Sequence, residues 1–167
     1  MILLTGATGF LGQYMIDALL ASGYEVRVLV RDAEQRTLPS WSKLVEVVSG
    51  DILDTLVVRK ALEGVETVIH GAAMVSFAKR DRDKLMQINV EGTANLIDAC
   101  LEVGQPRFIQ VSSIATIGRT QDDSLADEET PWLQSQAQSD YALSKYKAER
   151  EVYRGIAEGL TAVMVNP

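Results

Sequence analysis

The sequence is poorest in the residues that staple a chain, ligate metals or cross membranes. One cysteine, Cys100, in 167 residues excludes an internal disulfide framework and fits a reducing, cytoplasmic setting. One histidine, His70, is a poor basis for a metal centre or a catalytic imidazole, so a structural role is the better reading and no metal is expected. Basic residues are outnumbered: 16 Lys and Arg against 23 Asp and Glu leave a net charge of −7. That argues against nucleic acid or an anionic membrane as partner, since both call for a basic face. No charged leader precedes an apolar segment, and no apolar run is long enough to cross a bilayer, so neither a signal peptide nor a transmembrane helix is expected. Repeats and low-complexity segments are absent.

What is present is the composition of a folded domain, 47% hydrophobic and 23% charged, at a length that suits one domain with a proper core. The organising stretch is T-G-A-T-G-F-L-G, Thr5 to Gly12. It follows the apolar run Ile2-Leu3-Leu4, a short buried strand, and precedes residues 13–22, a helix with Tyr14, Met15, Ala18 and Leu19 on one stripe. Strand, glycine-rich turn and helix start open a dinucleotide-binding βαβ unit. Gly6 permits the tight turn, Gly9 lets backbone approach a pyrophosphate, and Gly12 allows close packing of the helix. The helix N-terminus offers N–H groups and partial positive charge to phosphates. Thr8, Phe10 and Leu11 share the stretch and belong to the same candidate cofactor site.

Gly23 closes the first helix. Residues 25–30 form a second strand, ending at Arg31-Asp32. An acidic residue at such a strand end takes the ribose 2′-OH of NAD, whereas an arginine accommodates the 2′-phosphate of NADP. Arg31 comes first, which favours NADP(H), with NAD as the alternative; Arg36 and Lys43 add charge nearby. A third strand over 44–48 leads to Asp51-Ile52, where Asp51 either meets the adenine amino group or caps the helix expected over 53–62. A fourth strand over 67–69 runs into His70-Gly71-Ala72-Ala73, small residues that let ribose or phosphate approach the backbone. A long helix is expected over 83–103, with Asn89 as a polar member of its apolar stripe, bridged to a neighbouring strand or a water. A fifth strand, 107–111, ends in Ser112-Ser113. Residues 118–138, with Asp122, Asp123, Asp127, Glu128 and Glu129, read as a solvated acidic loop. Ser139 or Asp140 caps a helix over 141–158, a sixth strand covers 160–165, and the chain closes on Asn166-Pro167.

Tyr141 and Lys145 stand four apart on one helix face. A cation there favours the tyrosinate and makes Tyr141 a usable acid/base. Such a pair is ordinary alone. Its weight comes from order: glycine turn, serine pair at a strand end, then Tyr-x-x-x-Lys.

With T-G-A-T-G-F-L-G, G-D-I-L-D, H-G-A-A, N-V-E-G-T, V-S-S-I-A-T-I-G, Y-A-L-S-K and V-N-P in sequence, the chain resembles the extended short-chain dehydrogenases/reductases. V-L-V-R-D and A-D-E-E-T-P make it most similar to the dihydroflavonol-reductase-like and sugar-epimerase-like branch. The resemblance implies a doubly wound parallel α/β/α sheet of about six strands in the order 3-2-1-4-5-6, one Rossmann domain over 1–167. It implies Tyr141 as general acid/base, Lys145 on the nicotinamide ribose, and Ser113, with Ser112 second, on the substrate oxygen. Asn89 would support structure or relay a proton, and Asn166-Pro167 would begin the segment lining the nicotinamide. The helices 83–103 and 141–158 would pair in a homodimer. Family members continue past V-N-P into a seventh strand and a smaller substrate domain, a part this sequence does not contain. The implied function is NAD(P)-dependent oxidation or reduction of a small-molecule sugar, alcohol or ketone. The alternatives are a nucleotide-sugar epimerase/dehydratase and a non-catalytic dinucleotide sensor.

Overall fold

Short apolar runs become strands here because both faces of the sheet are covered. β1 (Ile2–Thr5) is buried at all four positions, and β2 (Val26–Val30) at all but one. The computed structural model describes residues 1–35, 37–118, 125–127, 130–132 and 138–167. β3 (Glu46–Ser49), β4 (Thr67–His70), β5 (Arg107–Val111) and β6 (Ala162–Val165) complete a parallel sheet ordered β3-β2-β1-β4-β5-β6, the expected doubly wound order. Thr5 lies opposite His70, and His70 opposite Gln110, so the C-terminal ends of β1, β4 and β5 are level. Ligands of such sheets bind at that end, where the winding reverses.

Side-chain alternation splits the core into two layers. Leu4, Val26, Val28 and Val30 face α1 (Phe10–Ala21) and Trp41 on one side. Leu3, Leu29, Val68 and Phe108 face α2 (Thr55–Ala61), α4 (Gly92–Glu102) and α5 (Asp140–Ala157) on the other.

Several boundaries depart from the sequence expectation. α1 begins at Phe10, not residue 13, and its inward face is Gly12 and Ile16, with Met15, Leu19 and Leu20 partly buried. Tyr14 is 62% exposed and packs edge-on against exposed Phe10, ring centroids 5.3 Å apart; Ala18 is exposed as well. β3 starts later because Leu44 ends a 3-10 turn and points to solvent. α2 is capped by Asp54, whose carboxylate accepts from Leu56 N and Val57 N; Asp51 is left to a local turn with Leu53 N. The helix expected over 83–103 is interrupted: α3 (Arg82–Leu85) passes into a π-turn, Met86–Glu91, before α4. Ser139, not Asp140, caps α5 by accepting from Ala142 N at 3.1 Å.

Candidate active site

The glycine turn is held by backbone packing. Gly6 adopts φ +79°, and a Cβ there would overlap the Gly71 peptide; a Cβ on Gly12 would overlap the Gly6 carbonyl and the Ala7 backbone. Only hydrogen fits at either position. Gly9 is the N-cap of α1 with no side chain capping the helix, so the first-turn N–H groups are left for a ligand.

Two cavities lie over the sheet end, about 230 and 340 Å³, and share Gly6, Gly9, Gly71 and Ala73. They form one trough. Its first half is bordered by Thr8, Arg31, Asp51, Ile52 and Ala72. Arg31 is half exposed, 3.9 Å from Asp51 and 4.0 Å from Asp32, distances too long for hydrogen bonds. Its guanidinium is therefore available at the nucleotide end. Arg36, expected to add charge, lies outside the described residues.

The second half brings together Phe10, Leu11, Gly12, Ser112, Ser113, Tyr141, Lys145 and Pro167. Lys145 is 3% exposed and donates from Nζ to the Val111 carbonyl at 2.8 Å. Burial pulls its ammonium down from 10.5 to about 8, with Glu149 one turn away pulling upward. Tyr141 is half-buried, its ring edge-on to Phe77 at 5.9 Å. Ser113 caps a short turn by accepting from Ala115 N at 3.2 Å, and its hydroxyl keeps one proton to donate.

His70 supports this site from beneath. Thr93 Oγ1 gives its proton to the Asn89 carbonyl at 2.6 Å, so it accepts from His70 Nε2 at 3.0 Å. Nδ1 is then an acceptor, and the Thr5 hydroxyl donates to it at 2.6 Å while accepting from Ala72 N at 3.1 Å. One tautomer satisfies every partner. Full burial, and secondarily the Lys145 charge, push the His70 pKa down to about 3, so the ring is neutral.

Asn89 and Asn166 line neither half of the trough. The Asn89 amide, 2% exposed, exchanges hydrogen bonds with Met74 N and O and donates to Ser144 Oγ, so its protein partners are the segment after β4 and α5 rather than a strand. The Asn166 amide donates to Ser113 O, Thr116 Oγ1 and Glu149 Oε1. Ser112, at the trough wall, turns its hydroxyl to Glu149. Sequence reasoning passed over Gly50, Ile88, Met15 and Val75, which also border the trough, and Glu149, whose place eight residues after Tyr141 puts it on the same helix face.

Beside Tyr141 a third cavity, about 660 Å³, is walled mainly by apolar side chains including Phe77, Ile114, Ile117, Ala126 and Ala142. Of the acidic loop, Asp122, Asp123, Glu128 and Glu129 lie outside the described residues. Among the described residues, no cluster of His, Cys, Asp or Glu could hold a metal, and no helix is long and apolar enough to cross a membrane.

Comparison with known proteins gives consistent relatives. The family described as "3-beta hydroxysteroid dehydrogenase/isomerase family" matches residues 3–160. Sterol demethylase protein B of Methylococcus capsulatus is 36% identical over 166 residues, covering 99% of this chain and 50% of its own length. The solved structure of gox2253 has 41% identity and a TM-score of 0.88, covering 99% of this chain and 50% of that one. A short-chain dehydrogenase/reductase superfamily protein from Agrobacterium tumefaciens, solved with bound NAD, has 31% identity and a TM-score of 0.80, covering 99% and 48%. The chain thus spans about half the length of the relatives it matches.

Proposed function

Because the chain belongs to the 3-beta hydroxysteroid dehydrogenase/isomerase family, we propose that it forms the cofactor-binding and catalytic half of an NAD(P)-dependent oxidoreductase acting on an alcohol or ketone carbon. One observation carries this reading: Ser113, Tyr141 and Lys145 border a single cavity continuous with the glycine turn. The trough fits a dinucleotide, with an uncapped helix N-terminus at its middle and a guanidinium at one end. Hydride transfer is the chemistry a nicotinamide supplies when bound. In reduction, the Tyr141 hydroxyl gives its proton to the forming alkoxide, and Ser113 donates a hydrogen bond to the same oxygen. Lys145 spends one donor on Val111 O and has two left for ribose hydroxyls, which fixes its charge beside Tyr141.

Arg31 supports NADP(H), since a guanidinium matches a phosphate in bidentate geometry, although the Agrobacterium relative holds NAD. The apolar cavity beside Tyr141 favours an apolar alcohol or ketone over a sugar, and hence a reductase over an epimerase or dehydratase. The test is isotope transfer from labelled NADPH to a panel of carbonyl compounds, using the complete protein. Label in the product alcohol supports the assignment. Tight cofactor binding without transfer to any member would point to the sensor reading. Arg31→Ala should weaken NADPH by about 1.5–3 kcal/mol, the worth of hydrogen bonds to a charged group, and leave NADH nearly unchanged. Equal losses for both cofactors would remove the NADP preference.

A further inference from the structure

Tyr141, Lys145 and Glu149 follow one another at four-residue spacing on α5, so they share a face. The first two border the trough. The third reaches behind the turn that carries Ser113. Glu149 Oε1 accepts from Ser112 Oγ at 2.5 Å, Thr116 Oγ1 at 2.8 Å and Asn166 Nδ2 at 3.0 Å. Those donors come from the end of β5, the 3-10 turn after it, and the segment after β6. Asn166 Nδ2 also donates to the Ser113 carbonyl at 3.0 Å, and Thr116 Oγ1, whose single proton serves Glu149, lies 2.8 Å from that carbonyl. A single carboxylate oxygen therefore gathers three elements, and charge-assisted bonds of this kind are the stronger ones.

We propose that Glu149 is the positioning residue of this site, fixing the Ser112–Thr116 turn against the helix that carries Tyr141 and Lys145. This rests on the reading of Ser113, Tyr141 and Lys145 as the reacting side chains. Lys145 ties α5 to the Val111 carbonyl at the end of β5, and Glu149 is the charged group of α5 that holds the side chains of the turn itself, Ser112 and Thr116. The same carboxylate acts on Lys145 through space, opposing the burial that drives its proton off. The other titratable groups facing Lys145 are Tyr141 on its own helix and neutral His70 from β4. The charged side chains of α3, the π-turn and α4, among them Arg82, Glu91, Asp98 and Glu102, are exposed. Among the described residues, Glu149 is thus the anion set to hold Lys145 as an ammonium.

Two variants separate the mechanical and electrostatic parts. Glu149→Gln keeps an acceptor oxygen for the three donors and removes the charge. In the complete protein, lysine side-chain NMR should show Lys145 losing its proton about tenfold more readily in this variant, with the amide signals of residues 112–116 in place. Glu149→Ala removes the anchor as well, and amide exchange at Ala115 and Thr116 should speed at least severalfold. An unchanged Lys145 titration in Glu149→Gln, or unchanged exchange in Glu149→Ala, overturns the proposal. Neither readout uses turnover, so both remain decisive if the catalytic reading fails on its own test. A purely structural glutamate would leave the Lys145 titration where it is.

Discussion

Lys145 is carried at an energetic cost. It is 3% exposed, and burial brings it from 10.5 to about 8. Between those values the unfolded chain binds more protons than the folded one, so stability rises with pH across that window. Below about pH 8 the folded protein holds a desolvated ammonium. Lys145→Met keeps the stem and drops the charge, and should be more stable than the parent by about 1–3 kcal/mol at pH 7. The gap should narrow by pH 10, as the parent sheds its proton, and urea denaturation at the two pH values measures it. A gap that stays constant would mean that Lys145 is not a buried charge. The same residue shows what a sequence makes legible. Tyr141 and Lys145 are readable as a pair because four-residue spacing fixes a shared helix face whatever the fold. Ser112 and Asn166 are not, because the direction of a short polar side chain depends on its partner. That partner, Glu149, lies 37 residues from Ser112 and 17 from Asn166.

At the scale of elements, the strands followed from local chemistry apart from their ends, and of the caps Ser139 did and Asp54 did not; departures arose where tertiary packing overrode it. β5 runs over Arg107–Val111, as its β-forming Phe108, Ile109 and Val111 between Pro106 and Ser112 imply. The break within 82–102 is marked only by Gly92, which directly follows the π-turn, and a helical glycine is not by itself a sign of a π-turn, which adds a residue without changing the residue types around it. Its effect is specific: Asn89 falls inside the turn and meets Met74 and Ser144, while Ile88 reaches the nucleotide end of the trough. α1 was misaligned for a related reason. Its start is set by the Gly6–Gly12 backbone contact, which the hydrophobic stripe does not encode. Gly12→Ala would drive a Cβ into the Gly6 carbonyl and Ala7 backbone. Neither can yield as a side-chain tip would, so the variant should lose about 1–3 kcal/mol of stability and bind cofactor at least tenfold more weakly. Calorimetry with and without NADPH measures both, and parent-like affinity would mean that the turn is more pliant than its packing indicates.

At the scale of the molecule, alternating strands and helices made a parallel sheet legible, and the strand order came from the resemblance of the motifs to the extended short-chain dehydrogenases/reductases. Assembly is less legible. The outer surfaces of α4 and α5 are expected to pair across a two-fold axis, covering exposed Tyr153 and Ile156 beside the Arg154–Asp98 bridge at 2.7 Å; such a patch meets its own copy. Light scattering should give a dimer, and Ile156→Glu should shift it toward monomer; a parent protein that is monomeric at high micromolar concentration contradicts the pairing. We propose that Tyr141 passes the proton at this trough. Its direct test is the pH–rate profile of the complete protein beside Tyr141→Phe, with a carbonyl substrate identified by isotope transfer. Tyr141→Phe should reduce turnover by about 10²–10⁴-fold, the usual worth of acid/base catalysis, with cofactor affinity unchanged. Turnover near that of the parent, with the same pH dependence, would contradict it.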